Sequence, residues 1–310
     1  MRIAAITHAF NEPEYLPYWV THYGHQVGLP NLFVVTHGRT PRDRDIDARV
    51  QVIDVPADDF DETRRARFMS QLQHFLLNGY DWVIMADADE LIVADPARYA
   101  DIGDYLDRNR ATPTFTTVGL NVVQDCAREA PLDPMRPLFR QRAFVRFASP
   151  FCKPAVTRVP IVWKQGFHDS DAPRHLTDDL FMIHLCGADE TVARRRIARR
   201  NALTMSASDI RHKRSAHFRS SPDAYLAALF PDAPGLFDGA APEPDFRAEL
   251  AQVRAHPRPT AFAGPIVRMP ARFADSIRPA GGRARPAGLF GRLAERLDVL
   301  RASRKPAPRA

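Results

Sequence analysis

Apolar positions in this chain alternate between short runs and helical stripes. Arg2 to Phe10 predicts a buried first strand, and Asn31 to His37 and Val50 to Val55 predict two more. Between the first two, Leu16, Trp19, Val20, Tyr23 and Val27 recur on one helical face, with Asn11 and Glu14 as a capping-box start and Gly28 as the stop. Phe68, Met69, Leu72, Phe75 and Leu76 mark a second amphipathic helix over Arg64 to Asn78, ending near Gly79. The next segment, Trp82 to Met85, is apolar without alternation, the pattern of a strand covered on both faces of a parallel sheet. Strand, helix, strand, strand, helix, strand predicts an α/β fold with a largely parallel central sheet flanked by helices.

Downstream the pattern loosens. Asp101 to Asn109 reads as a short helix, and Thr114 to Leu120, Ala143 to Ala148 and Ala155 to Val159 as strands. Leu180 to Cys186 is a short apolar strand carrying His184, followed by a basic helix from Asp189 to about Met205. Beyond Ser220 proline and alanine accumulate, and order is expected to fade near Pro257. These shifts divide the chain into a main domain over 1–205, a helical or irregular extension over 206–277 and a basic tail over 278–310. In the tail, Leu289, Phe290, Leu293, Leu297 and Leu300 share one helical face with Arg292, Arg296 and Arg301 outside it, the layout of a helix that either lies in a membrane interface or packs back on the body.

Length and composition (310 residues, 45% hydrophobic) allow a sizeable core. Apolar runs stay short of the roughly 18 residues a membrane span needs, and no signal-peptide pattern follows Met1-Arg2, so the chain is expected to be cytoplasmic. Cys126, Cys152 and Cys186 are too scattered for a zinc cluster. The net charge of +6 resolves into +7 on residues 278–310 and about −1 on the rest. A neutral body argues against a nucleic-acid groove, and the basic tail suggests a peripheral membrane contact.

The chemistry concentrates in Asp87-Ala88-Asp89-Glu90, where an apolar strand ends in three carboxylates within four positions. Such charges stay together where a cation compensates them, and hard oxygen ligands suit Mg²⁺ or Mn²⁺ with positions left for substrate phosphates. Ligands of open α/β sheets bind beyond the carboxyl ends of the strands, where this motif falls.

Taken in order, Ala9-Phe10-Asn11-Glu12, the early helix with Trp19, the strand Leu32-Phe33-Val34-Val35 and the string Asp81 to Glu90 resemble family 2-like glycosyltransferases of the GT-A fold, near the family 92 branch. The resemblance covers roughly the first 200 residues. It implies an inverting transfer from a nucleotide sugar, such as a UDP-sugar, to a glycan, lipid or protein acceptor. It places Asn11, Glu12 and Asp87 at the nucleotide and Asp87 and Asp89 on Mn²⁺ or Mg²⁺. A further ligand is expected from a downstream histidine, His184 first and His168 second. Thr36-His37-Gly38 departs from relatives that carry an acid for the base at this point.

Transfer also needs a base for the acceptor hydroxyl. Asp169 and Asp171 are the candidates, with Asp178 and Asp179 behind them. Lys153, Lys164, Arg64 and Arg67 are candidates for phosphate contacts, and Arg194, Arg195, Arg196, Arg199 and Arg200 read as either an anion-binding face or, as charge runs usually are, a solvated one. Two other classes fit the motif. One is a non-catalytic nucleotide-sugar or glycan binder, and the other is a phosphatase of the haloacid dehalogenase type, whose Asp-x-Asp normally lies on the first strand.

Overall fold

The computed structural model describes residues 1–280 apart from 39–45, 57, 215–220, 232–234, 242, 244 and 256–260. In chain order the elements are β1 (Ile3–Ala9), α1 (Leu16–Val27), β2 (Leu32–His37), β3 (Gln51–Val55), α2 (Glu62–Leu76), β4 (Trp82–Met85), β5 (Glu90–Ala94), α3 (Ile102–Arg108), β6 (Thr114–Val123), β7 (Phe144–Ala148), β8 (Pro154–Thr157), β9 (Leu176–His184), α4 (Glu190–Asn201), α5 (Ala207–Arg211), α6 (Pro222–Leu229), α7 (Arg247–Ala255) and β10 (Ala263–Arg268). The fold is α/β, a central sheet with helices on its faces. Strands β3, β2, β1 and β4 form its parallel half, and β8 opens a mixed half by pairing antiparallel with β4. There β6 is the branch point: its first residues pair with β8, its last with β7, and β9 runs parallel along it.

Strands β1, β2 and β4 of the parallel half are buried because they have a hydrophobic layer on each face, whereas the edge strand β3 is largely exposed. Trp19 and Tyr23 of α1 pack with Leu32, Trp82 and Ile84 on one side, and Ala66, Met69 and Leu76 of α2 pack with Ile6, Val35 and Val83 on the other. The capping expectation for α1 is corrected. Asn11 takes left-handed backbone (φ 48°), and the helix starts at Leu16, whose N–H donates to the Glu12 carbonyl at 3.1 Å. For α2 the cap is Asp61, accepting from the Arg64 N–H at 2.8 Å. Its buried stripe runs through Ala66, Met69, Gln73 and Leu76, which turns Phe75 outward at 71% exposure, against the expected apolar face.

Beyond residue 260, where order is expected to fade, the structure describes a further strand. Antiparallel pairing of β10 with β7 adds a strand from the 206–277 segment to the sheet, and Phe273 and Ile277 are buried in the main core. Prolines and a half-exposed strand hide this element from a pattern search. Leu226 of α6 packs on Ala193 and Ile197 of α4. The charged segment Arg39 to Asp45 and the expected tail helix over Leu289 to Leu300 lie outside the described residues. No helix among the described residues is long and apolar enough to cross a membrane.

Gly119 of β6 supports the turn 149–151. A Cβ there would sit 2.5 Å from both the Ala148 carbonyl oxygen and the Phe151 backbone carbon. Gly119→Ala is expected to cost about 1–3 kcal/mol, as overpacking of a close-packed core does. Urea unfolding checks this, and an unchanged midpoint shows that the turn yields freely.

Candidate active site

Strand register assembles the site. Ladder pairing sets Glu90 of β5 beside His184 of β9, and His184 beside Asn121 of β6. Since Ile84 of β4 pairs with Val156 of β8, continuing that antiparallel ladder by three residues brings Asp87 opposite Lys153. Likewise Ile6 pairs with Met85 in the parallel β1–β4 ladder, so two residues further His8 lies beside Asp87. The carboxyl ends of β1, β4 and β9 therefore converge on one cleft of about 430 Å³, which α4 closes from the side with Arg196, Arg199 and Arg200.

The cleft is a lattice of buried charges. Lys153, its side chain 4% exposed, donates to Asp87 Oδ2 at 3.0 Å and to Glu90 Oε1 at 2.6 Å. Arg65 binds the other Asp87 oxygen and lies 3.4 Å from Glu62. Burial would raise the Asp87 pKa, but Arg65 and Lys153 outweigh it and bring it down to about 2. Burial lifts Glu90 above the usual range despite Lys153. The same burial would lower Lys153, yet Asp87 and Glu90 hold its ammonium above its ordinary value.

Asp89 faces a second set of cations. Its Oδ2 lies 2.7 Å from Arg196 Nη1, 3.3 Å from His184 Nε2 and 3.6 Å from Arg200 Nη2. Burial opposes ionisation, and Arg196 with His184 outweighs it, holding the carboxyl well below its normal range. Arg196 and His184 are thus the close partners of this buried oxygen. His184 is fixed from behind. Its Nδ1 lies 2.8 Å from Asn121 Oδ1, and its ring stacks on Phe151 at 3.8 Å between centroids. Arg196 also donates to Glu12 through Nε at 2.8 Å and Nη2 at 3.0 Å.

Of the residues expected from sequence, Glu12, Asp87, Asp89, Lys153, His168 and His184 line the cleft together. Asn11 forms the left-handed turn beside them. Asp169 and Asp171 do not reach it. Backbone bonding from the Lys164 N–H to the Asp169 carbonyl folds their loop back, so Asp169 pairs with Lys164 at 2.6 Å and Asp171 accepts from the Val162 N–H at 2.7 Å. Asp169 lines a separate pocket with Asp178 and Asp179, away from the motif. Lys164 is thus engaged, Arg64 pairs with Asp58, and Arg67 is exposed.

Arg196 is the residue that charge-run reasoning passes over. Ala193, Arg196, Ile197 and Arg200 share one helical stripe, so the apolar spacing already points Arg196 inward. Asn121 and Phe151 carry no comparable signal in the sequence.

The expected ligand set of Asp87, Asp89 and His184 changes. Asp87 is turned to Arg65 and Lys153, and among the described residues no three His, Cys, Asp or Glu side chains gather as a metal site. Asp89 Oδ2 and His184 Nε2 remain together as a pair 3.3 Å apart, with Arg196 2.7 Å from the same carboxylate oxygen.

No protein-family profile and no curated protein matches the chain. Among solved structures it is similar to TarS of S. aureus, at 10% identity over 76% of this chain and a TM-score of 0.35. It spans 47% of that protein's length. A structure of S. aureus TarS 1–349 in complex with UDP aligns at 11% identity over 82% of this chain and 79% of that one, with a TM-score of 0.32. The bifunctional glycosyltransferase WbbM aligns over 41% of this chain and 23% of its own, at 12% identity and a TM-score of 0.23. Alignments at these scores leave function to the chemistry of the cleft.

Removing Lys153 strands the buried Glu90 and leaves Asp87 to Arg65 alone. Lys153→Met is expected to cost about 3–5 kcal/mol in urea unfolding, and adding Glu90→Gln should recover part of it. Full stability in the single variant would show that water replaces the ammonium. Acid makes a related test. The folded pKa of Asp87 lies near 2 against an ordinary 3.8, so the stability it carries is complete above about pH 4 and lost as pH falls through 2. The decline in urea midpoint over that window should be smaller in Asp87→Asn.

Proposed function

We propose that this protein is a GT-A-type glycosyltransferase that moves a sugar from a nucleotide sugar, a UDP-sugar, to a glycan, lipid or protein acceptor with inversion. The observation that carries the reading is the convergence of Asp89, His184, Arg196 and Arg200 at the carboxyl end of the sheet. That combination suits a diphosphate with its cation. Asp89 and His184 would hold Mn²⁺ or Mg²⁺, which when bound neutralises charge growing on the departing diphosphate. Arg196 and Arg200 place fixed positive charge at the same point, and Asn121 keeps the His184 ring oriented for a ligand role.

A second pocket supports a nucleotide ligand. About 280 Å³ in volume, it lies at the ends of β1, β2 and β3 against α2, is lined by His8, Val35, His37, Val55 and Phe68, and shares His8, Phe60 and Arg65 with the main cleft. A flat base fits its mostly apolar walls, with the phosphates directed towards Arg65 and the motif. His37 replaces the acid found in relatives, so the base would be held by packing and histidine contacts. The basic residues 278–310 would add a peripheral contact with an anionic membrane face.

One observation favours a binder without turnover: each carboxylate lining the cleft is ion-paired, which leaves none free as a base. The same pairing counts against the phosphatase reading, because the nucleophilic aspartate it requires is held by Arg65 and Lys153.

Calorimetric titration of UDP with and without Mn²⁺ tests the proposal. Mn²⁺ should tighten UDP binding by about tenfold or more, and Asp89→Asn and His184→Ala should each remove most of that gain. Equal binding with and without Mn²⁺ would exclude the metal role, and no binding of any nucleotide diphosphate or nucleotide sugar would overturn the reading as a whole.

A further inference from the structure

Gly166 and Phe167 occupy left-handed backbone in succession, with φ of 68° and 58°. Glycine adopts this region freely, whereas a phenylalanine there is strained and persists where its surroundings hold it. Phe167 is held. Its ring is buried, packs edge-on against Trp163 at 6.0 Å and carries the Arg65 guanidinium 4.5 Å from its centroid. The strained turn delivers the next residue, His168, to the rim of the cleft.

The His168 ring stands edge-on to Phe151 at 6.4 Å, and Phe151 in turn stacks on His184. Its Nδ1 lies 2.6 Å from the Pro150 carbonyl oxygen. A carbonyl only accepts, so Nδ1 carries the proton and Nε2 keeps its lone pair. Among the described residues Nε2 has no hydrogen-bond partner. The side chain is exposed at the cleft rim, and the partial packing of its ring together with the charge of Lys153 lowers its pKa from the ordinary value, so the ring is neutral near pH 7.

The carboxylates and the other cationic groups named at the cleft are engaged. Arg196 holds Glu12 and Asp89, Arg65 holds Glu62 and Asp87, and Lys153 holds Glu90. His184 is committed to Asn121 and Asp89. His8 stands at the mouth of the side pocket, 5.7 Å from His37.

We propose that His168 is the general base of the transfer, a catalytic residue that takes the acceptor's proton; this rests on the glycosyl-transfer reading above. Nε2 accepts the hydroxyl proton as the hydroxyl oxygen bonds to the anomeric carbon. The bond from that carbon to the donor's phosphate oxygen breaks, its electron pair leaves on the diphosphate, and the imidazolium then releases its proton to solvent. Such a base supplies the function that the paired carboxylates cannot, and so answers the case for a mere binder.

Water serves as the acceptor in the test. The full chain with Mn²⁺ is given UDP-, GDP- and CMP-sugars in turn, nucleotide release is followed, and UDP binding is measured separately. His168→Ala should bind UDP within about twofold of the parent while release falls by about 10²–10⁴-fold. Added imidazole should restore part of that rate in the variant and leave the parent unchanged. Gly166→Ala is the second probe, because its Cβ would lie 2.7 Å from His168 Cδ2 and 2.8 Å from Nε2 and so displace the ring; release should fall with UDP binding kept. Parental rates in His168→Ala, a fall that tracks weakened Mn²⁺ binding, or no rescue by imidazole would each overturn the assignment while leaving glycosyl transfer in place. A parent that neither binds UDP nor cleaves any donor would overturn both.

Discussion

The ammonium of Lys153 between Asp87 and Glu90 is the contact on which the rest of the site depends. Three acids within four residues at a buried strand end repel one another, and each would otherwise have to be protonated or hydrated. Lys153 bridges two of them from behind, and with Arg65 it balances their charge. Asp87 is thereby fixed against Arg65, and Asp89 is left as the acid presented to the α4 arginines and His184. The motif is held by covalently tethered cations, so the acidic cluster persists without a bound ion. An ion and a diphosphate would then add charge of both signs to a cleft already close to neutral.

The second half of that compensation reaches across the fold. Glu12 and Glu14, in the turn after β1, pair with Arg196 and Arg199 of α4, a helix nearly two hundred residues later. Arg196 touches both Glu12 and Asp89, so the first turn of the chain and the acidic motif share one guanidinium. The guanidinium also lies 4.8 Å from the centroid of the buried Tyr15 ring. Its orientation is therefore set by two carboxylates and an aromatic face, a planar arrangement that lysine would not reproduce.

Much of the fold was legible because its strongest signals are local. The buried strands over Ile3–Ala9, Leu32–His37 and Trp82–Met85 and the stripe of α1 follow from hydrophobic spacing alone. Misreadings arise where geometry overrides spacing. Asn11 looks like a cap but bends into left-handed backbone, Phe75 sits one step off the buried face of α2, and β10 hides among prolines. In the site, Asp87, Asp89, Glu12 and His184 could be named because the motif marks a strand end. The partners of those residues could not, since they come from register: Lys153 meets Asp87 through β8, and Asn121 meets His184 through β6. Asp169 and Asp171 show the reverse case, where nearness in sequence to His168 says nothing about direction once the loop folds back on Lys164.

The separation of Lys153 from its acids also has a consequence for the chain during its synthesis. At a translation rate of about 5–20 residues per second, Asp87 and Glu90 are made roughly 3 to 13 s before the lysine that bridges them. The arginines of α4 follow later still. Until β8 is available, the ribosome-bound chain can pair β1 to β4 only if the motif stays in water, and burial of the acidic turn has to wait for the downstream strands. The cleft is consequently a late product of folding, closed by residues that the first ninety do not contain.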